Sequence, residues 1–109
     1  MAIIFNKPVN DQSTAIVTCA FCDGAGEAIT PTSVTWTLSD LFGNIVNSRE
    51  NVSITPAASV SIVLSGNDLK YADGKNRYLL VEALYNSTLG SDLPLKEEAI
   101  ITITDLAGV

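Results

Sequence analysis

Alternation with a period of two runs through most of this chain, and it decides what the chain can fold into. TAIVTCAFC, residues 14–22, sets Ala15, Val17, Cys19 and Phe21 on one face. SVTWTLS, residues 33–39, sets Val34, Trp36 and Leu38 against Thr35, Thr37 and Ser39. The beat continues with Val60, Ile62 and Leu64 in ASVSIVLS (58–65) and with Leu79, Val81, Ala83 and Tyr85 in RYLLVEALY (77–85). It closes with Ala99, Ile101 and Ile103 in KEEAIITIT (96–104). Successive side chains of a strand point to opposite faces, so these runs are half-buried strands. Their wealth of Val, Ile and Thr agrees. Shorter strands are expected at Ile3–Phe5, around Ile45 and Val46, and at Val52–Ile54.

Turn residues divide the runs. Asp40-Leu41-Phe42-Gly43-Asn44 closes the tryptophan strand as a hairpin, with Gly43 supplying a positive φ. Asp23-Gly24-Ala25-Gly26, Thr55-Pro56, Ser65-Gly66-Asn67-Asp68, Ala72-Asp73-Gly74 and Gly90-Ser91-Asp92 mark other breaks. Pro8, Pro31, Pro56 and Pro94 are read as lying between the long runs. Residues 66–72 can form one helical turn, and no segment has the period of a longer helix. Seven or eight short strands at regular spacing predict an all-β fold, an immunoglobulin-like antiparallel β-sandwich with Trp36 at its centre. Tyr78, at the start of a strand, stands roughly where a tyrosine corner would. The 109 residues suffice for a single domain, 1–109, with residues 1–8 as an N-terminal strand or arm.

Chemistry is thinly represented. The chain has no histidine, which removes the usual acid–base partner of serine and cysteine nucleophiles, and no enzyme activity is expected. Cys19 and Cys22 are three apart, so in a strand their sulfurs face opposite ways; neither a disulfide nor a zinc site is predicted. Asp68 and Asp73 share a loop without the spacing of a calcium site. Gly24-Ala25-Gly26 is too short to cradle phosphate. No catalytic residue, metal or cofactor is expected. A net charge of −6 disfavours nucleic acid and anionic membranes. The N-terminus lacks the basic and apolar regions of a signal peptide, so synthesis in a cytoplasm is expected.

What remains is surface. Burying Leu79, Val81, Ala83 and Tyr85 turns Leu80, Glu82 and Leu84 outward, beside Ile100 and Thr102 of the following, antiparallel strand. The opposite register would bury Glu82 without a partner. Leu80, Glu82, Leu84, Ile100 and Thr102 therefore form a candidate partner interface: an apolar patch with a polar rim. NSTLGSDLPL, residues 86–95, reads as a loop whose leucines either plug the end of the core or make contacts. Leu89 and Leu93 there, with Phe42 at the hairpin tip, are the candidate loop contacts.

TWTLSDLFGNIVNSRENVSIT, SVSIVLSGNDL and YLLVEALYNSTLGSDLPLKEE together resemble the small Ig-like structural proteins of tailed bacteriophages. The likeness covers roughly residues 30–105. It implies a virion component made in the host bacterial cytoplasm, with other capsid or tail proteins as partners and self-association in a symmetric assembly. Capsid decoration is the leading role. A head–tail connector or tail-associated module, or a carbohydrate or cell-surface adhesion module, are the alternatives. It carries over no catalytic or metal-binding residue.

Overall fold

The alternating runs become strands. The computed structural model describes residues 2–4, 9–23, 26–71 and 74–104. Among these residues eight strands follow in chain order: β1 (Ala2–Ile4), β2 (Val9–Asn10), β3 (Thr14–Ala20), β4 (Ser33–Ser39), β5 (Val52–Ile54), β6 (Ser59–Ser65), β7 (Asn76–Ser87) and β8 (Gly90–Thr104). The only helical segment among them is a 3-10 turn at Gly66–Leu69, within the stretch expected to turn. The strands form a three-stranded sheet in the order β1-β3-β6 and a five-stranded sheet in the order β2-β8-β7-β4-β5. The fold is all-β. Both cysteines are free, Cys19 buried and Cys22 partly exposed.

Both sheets send their alternate residues into one buried cluster. Val17 and Cys19 of β3 and Ile62 and Leu64 of β6 enter from the small sheet. Trp36 and Leu38 of β4, Leu79 and Val81 of β7, and Ile101 and Ile103 of β8 enter from the large one. Trp36 is 6% exposed, with Val81 beside it on β7 and Val52 on β5. Its ring removes a large apolar area from water at the middle of the sheet. Phe21, just past the end of β3, is fully buried.

Several expectations are corrected. Residues 86–95 are not a loop. β7 runs on to Ser87, Thr88 and Leu89 make the turn, and β8 starts at Gly90. The turn-forming residues there are absorbed by a slip in register between Tyr85 and Ser87 and a left-handed Asp92, φ 52°. Pro94 accordingly lies inside β8 rather than between strands. The sheets are not wholly antiparallel, because β2 pairs with β8 in parallel at Val9 and Asn10. Ile45 makes only an isolated bridge to Ser39. Tyr78 sits within β7 between Ser39 and Ile100, not at a corner. Tyr85 is half-buried rather than sealed. Phe5, Gly24, Ala25, Asp73 and most of the N-terminal arm lie outside the described residues.

Two polar side chains clamp one end of the molecule. Arg77 shares the inward parity of Leu79 and Val81 and is fully buried. Its guanidinium donates to the carbonyls of Asp68 (2.9 Å), Gly74 (2.9 Å), Asn76 (3.0 Å) and Lys70, so the cation is buried among acceptors. Asp68 is 1% exposed. Its carboxylate accepts from Arg49 Nε (2.8 Å), Asn47 Nδ2 (2.8 Å) and the Ser65 amide (3.1 Å). Burial alone would push this carboxyl up; the donors from Arg49, Asn47 and Ser65 outweigh it and hold the pKa below the usual value. Asn47 and Ser48 both adopt left-handed φ, 53° and 59°, and the Arg49 amide closes the turn on the Val46 carbonyl at 3.1 Å. That tight turn delivers Asn47 and Arg49 to Asp68, tying the β4–β5 connection to the β6–β7 connection.

Candidate interaction surface

The outer face of the five-stranded sheet is built by the residues that alternate with the core. Cross-strand register lays them out in rows. Ser33, Leu84 and Pro94 form one row; Thr35, Glu82 and Lys96 the next; Thr37, Leu80 and Glu98 the third; Ser39, Tyr78 and Ile100 the fourth. Asn76 faces Thr102, whose hydroxyl lies 3.4 Å from the Asn76 amide oxygen. Leu80, Glu82, Leu84, Ile100 and Thr102 thus share one face, but not one spot. Leu84 and the residue opposite Ile100, Tyr78, are six positions apart on β7, roughly 20 Å at the rise of a strand. Between Leu84 and Leu80 stands the ion pair of Glu82 and Lys96, 3.6 Å apart.

The apolar content therefore falls in two places. One is the row Ile45, Ser39, Tyr78, Ile100, because the bridge to Ser39 brings Ile45 onto the same face. Ile45 is 39% and Ile100 59% exposed, and Leu80 lies diagonally behind Tyr78. The other is Leu84 with Pro94, beside a shallow groove of about 260 Å³ that also touches Thr35, Glu82 and Lys96. Tyr78 and Ile45 escape a reading of β7 and β8 alone; the odd–even parity that placed Leu80 outward also places Tyr78 there.

At the edge of the first place, the β4 turn presents Leu41 and Phe42, the latter 84% exposed. The turn is rigid. Asp40 Oδ1 accepts the amides of Phe42 (2.8 Å) and Asn44 (3.0 Å), while the Asp40 amide donates back to the Asn44 carbonyl at 3.0 Å. Burial nudges the Asp40 carboxyl up, and the amides of Asn44 and Phe42 more than reverse it. Phe42 flanks a groove of about 300 Å³ lined by Asp40, Leu41, Gly74, Lys75 and Asn76.

The β7–β8 hairpin is the second exposed element. β4 ends its pairing at Ser33 with Leu84, so residues 85–93 continue as a two-stranded ribbon past the sheet. The molecule is accordingly long, 55 × 24 × 21 Å. Leu89 at the tip is 91% exposed. Leu93 is half-buried on the ribbon's inner face, and Leu95 packs against the core cluster. The tip is ordered by its own polar groups: the Asp92 amide donates to Asn86 Oδ1 at 2.8 Å and the Leu89 amide to Ser87 Oγ at 3.0 Å.

Among the described residues there is no group of three or more metal-ligating side chains, and no helix long and apolar enough to cross a membrane. No protein-family model, curated protein or solved structure matches this chain.

Proposed function

We propose that this chain is a non-enzymatic structural protein of a tailed-bacteriophage virion, an Ig-like β-sandwich that decorates the capsid by docking on other virion proteins. The strand order supports the Ig-like reading. β3 and β6 share one sheet while β4, β7 and β8 share the other, the partition of strands B and E from C, F and G in that fold. The virion reading rests on the likeness of residues 30–105 to phage Ig-like proteins. The observation that carries docking is the outer-face row of exposed Ile45 and Ile100 with half-buried Tyr78 between them, beside the hydrogen-bonded Phe42 turn. Such a surface costs little to order on binding. A small apolar contact is weak alone, and repetition of the site over a symmetric shell multiplies it.

The test is sedimentation of the purified chain with capsids and with tails of the phage that encodes it. Co-migration with capsids, lost in an Ile100→Asp variant, is expected. Co-migration with tails alone replaces decoration by a tail role. A chain that stays at the top of the gradient, yet is retained on immobilised glycans, overturns the proposal.

A further inference from the structure

We infer that the open edge of β8, from Pro94 to Ile100, takes up an extended segment of a partner protein that carries two adjacent basic residues. This rests on the docking role proposed above and gives the partner's chemistry. β8 is 15 residues long and pairs with β7 along one side. Among the described residues its other side pairs only with β2, at Ile103 and Thr104, and β1 passes near β8 without pairing to it.

Three hydrogen bonds fix which backbone groups face that side. The Ile103 amide donates to the Lys75 carbonyl at 2.8 Å, so odd-numbered residues of β8 address β7. The Leu84 carbonyl is taken by the Thr32 amide on the β4 side, so Pro94, opposite Leu84, turns its backbone away from β7. The Thr104 carbonyl accepts from Asp11 on the outer side. Lys96, Glu98 and Ile100 therefore present both N–H and C=O to the free edge, and Pro94 its C=O alone. All four residues are exposed. Unpaired strand edges template an added strand, and main-chain bonds supply its affinity. The stretch of seven residues spans about 23 Å.

Charge selects the occupant. Lys96 is paired with Glu82 at 3.6 Å. Glu97 and Glu98 are exposed, make no ion pair among the described residues, and point to opposite faces of the sheet. Neighbouring residues of an added strand also point to opposite faces. Two consecutive lysines or arginines would each meet one carboxylate, one above and one below. A second copy of β8 is the competing occupant. Antiparallel alignment about residue 96 or 98 sets Lys96 or Glu98 against itself; alignment about 97 opposes Lys96 to Glu98 twice but Glu97 to itself, whereas a basic pair opposes no like charges.

The test uses the whole ¹⁵N-labelled chain and millimolar acetyl-Val-Thr-Lys-Lys-Val-Thr-Val-amide. In the free protein the amides of Lys96, Glu98 and Ile100 should exchange rapidly. With the peptide their resonances should shift and their exchange slow. A Glu-Glu peptide should bind about tenfold more weakly, as expected for exposed charge pairs, and a Glu97→Lys/Glu98→Lys variant should reverse that preference. Trp36 emission checks that the variant is folded. The proposal is overturned by edge amides already protected in the free chain, by equal binding of the two peptides, or by a dimer that protects the same amides. Virion co-migration without peptide-induced shifts sinks the edge alone; peptide capture without virion association sinks the virion reading alone.

Discussion

Arg49 Nε stands 2.8 Å from Asp68 Oδ1, yet the two side chains live in different media: Arg49 is 42% exposed and Asp68 1%. The asymmetry predicts unequal losses. Asp68→Ala strips partners from Arg49, Asn47 and the Ser65 amide together and should cost about 2–3 kcal/mol. Arg49→Ala leaves the carboxylate two donors and should cost about 1 kcal/mol. Urea unfolding of both variants checks the order. An Arg49 variant as damaged as the Asp68 one would mean that the ion pair, not the buried acceptor, holds this end.

The same carboxylate sets an acid limit. Its folded pKa is lowered, so its contribution is present above the unfolded value of about 4 and is lost as pH falls through the folded one. Stability of the native chain should drop as pH goes below about 4, and Asp68→Asn should flatten that drop. Thermal melts between pH 2 and pH 7 measure both slopes.

At the alkaline end Cys19 works with the opposite sign. Burial, helped by Glu97, pushes its thiol from 9.0 to about 11. A raised pKa contributes stability below pH 9, lost as pH rises toward 11. Cys19→Ala should remove that slope at some cost in packing. At pH 8 a thiol reagent should label Cys22 first and Cys19 only on unfolding, because the neutral, fully buried Cys19 thiol is a poor nucleophile.

Outer-face and core residues should separate cleanly. Trp36→Ala should cost about 3–5 kcal/mol, enough to unfold much of a marginally stable domain. Ile100→Asp and Leu84→Asp, at 59% and 37% exposure, should change stability by under about 1 kcal/mol. If docking uses the row of Tyr78, only Ile100→Asp abolishes it; loss through Leu84→Asp alone moves the contact to the Pro94 end. Binding assays on the two folded variants decide.

Replacing residues 86–92 by an Asn-Gly turn removes ribbon that lies past the end of β4. The shortened chain should keep its melting temperature within a few degrees, a change of about 1 kcal/mol or less. Collapse of the fold would show that the tip braces the core.

Register on β7 was readable because burying Leu79, Val81 and Ala83 forces Glu82 outward. Arg77 carries the same inward parity, and its burial was legible in principle; charge masked it, since only the folded loops bring the carbonyls of Asp68, Lys70 and Gly74 around it. The hairpin was misread because Gly90, Asp92 and Pro94 are turn formers. Pro94 is tolerated in β8 only because its missing N–H falls on the open edge, which no local pattern reveals. Likewise, alternation gives the face of Leu84 and Ile100 but not their separation. That depends on counting pairs across a turn whose length the sequence leaves open.

The ribbon beyond Tyr85 contributes almost nothing to the buried cluster, so mutation there escapes the selection that protects the fold. Its tip can change in length and lettering while Trp36 and its neighbours stay as they are. A lineage carrying this domain can therefore reshape what this end presents to solvent through a handful of codons, without renegotiating how the domain folds.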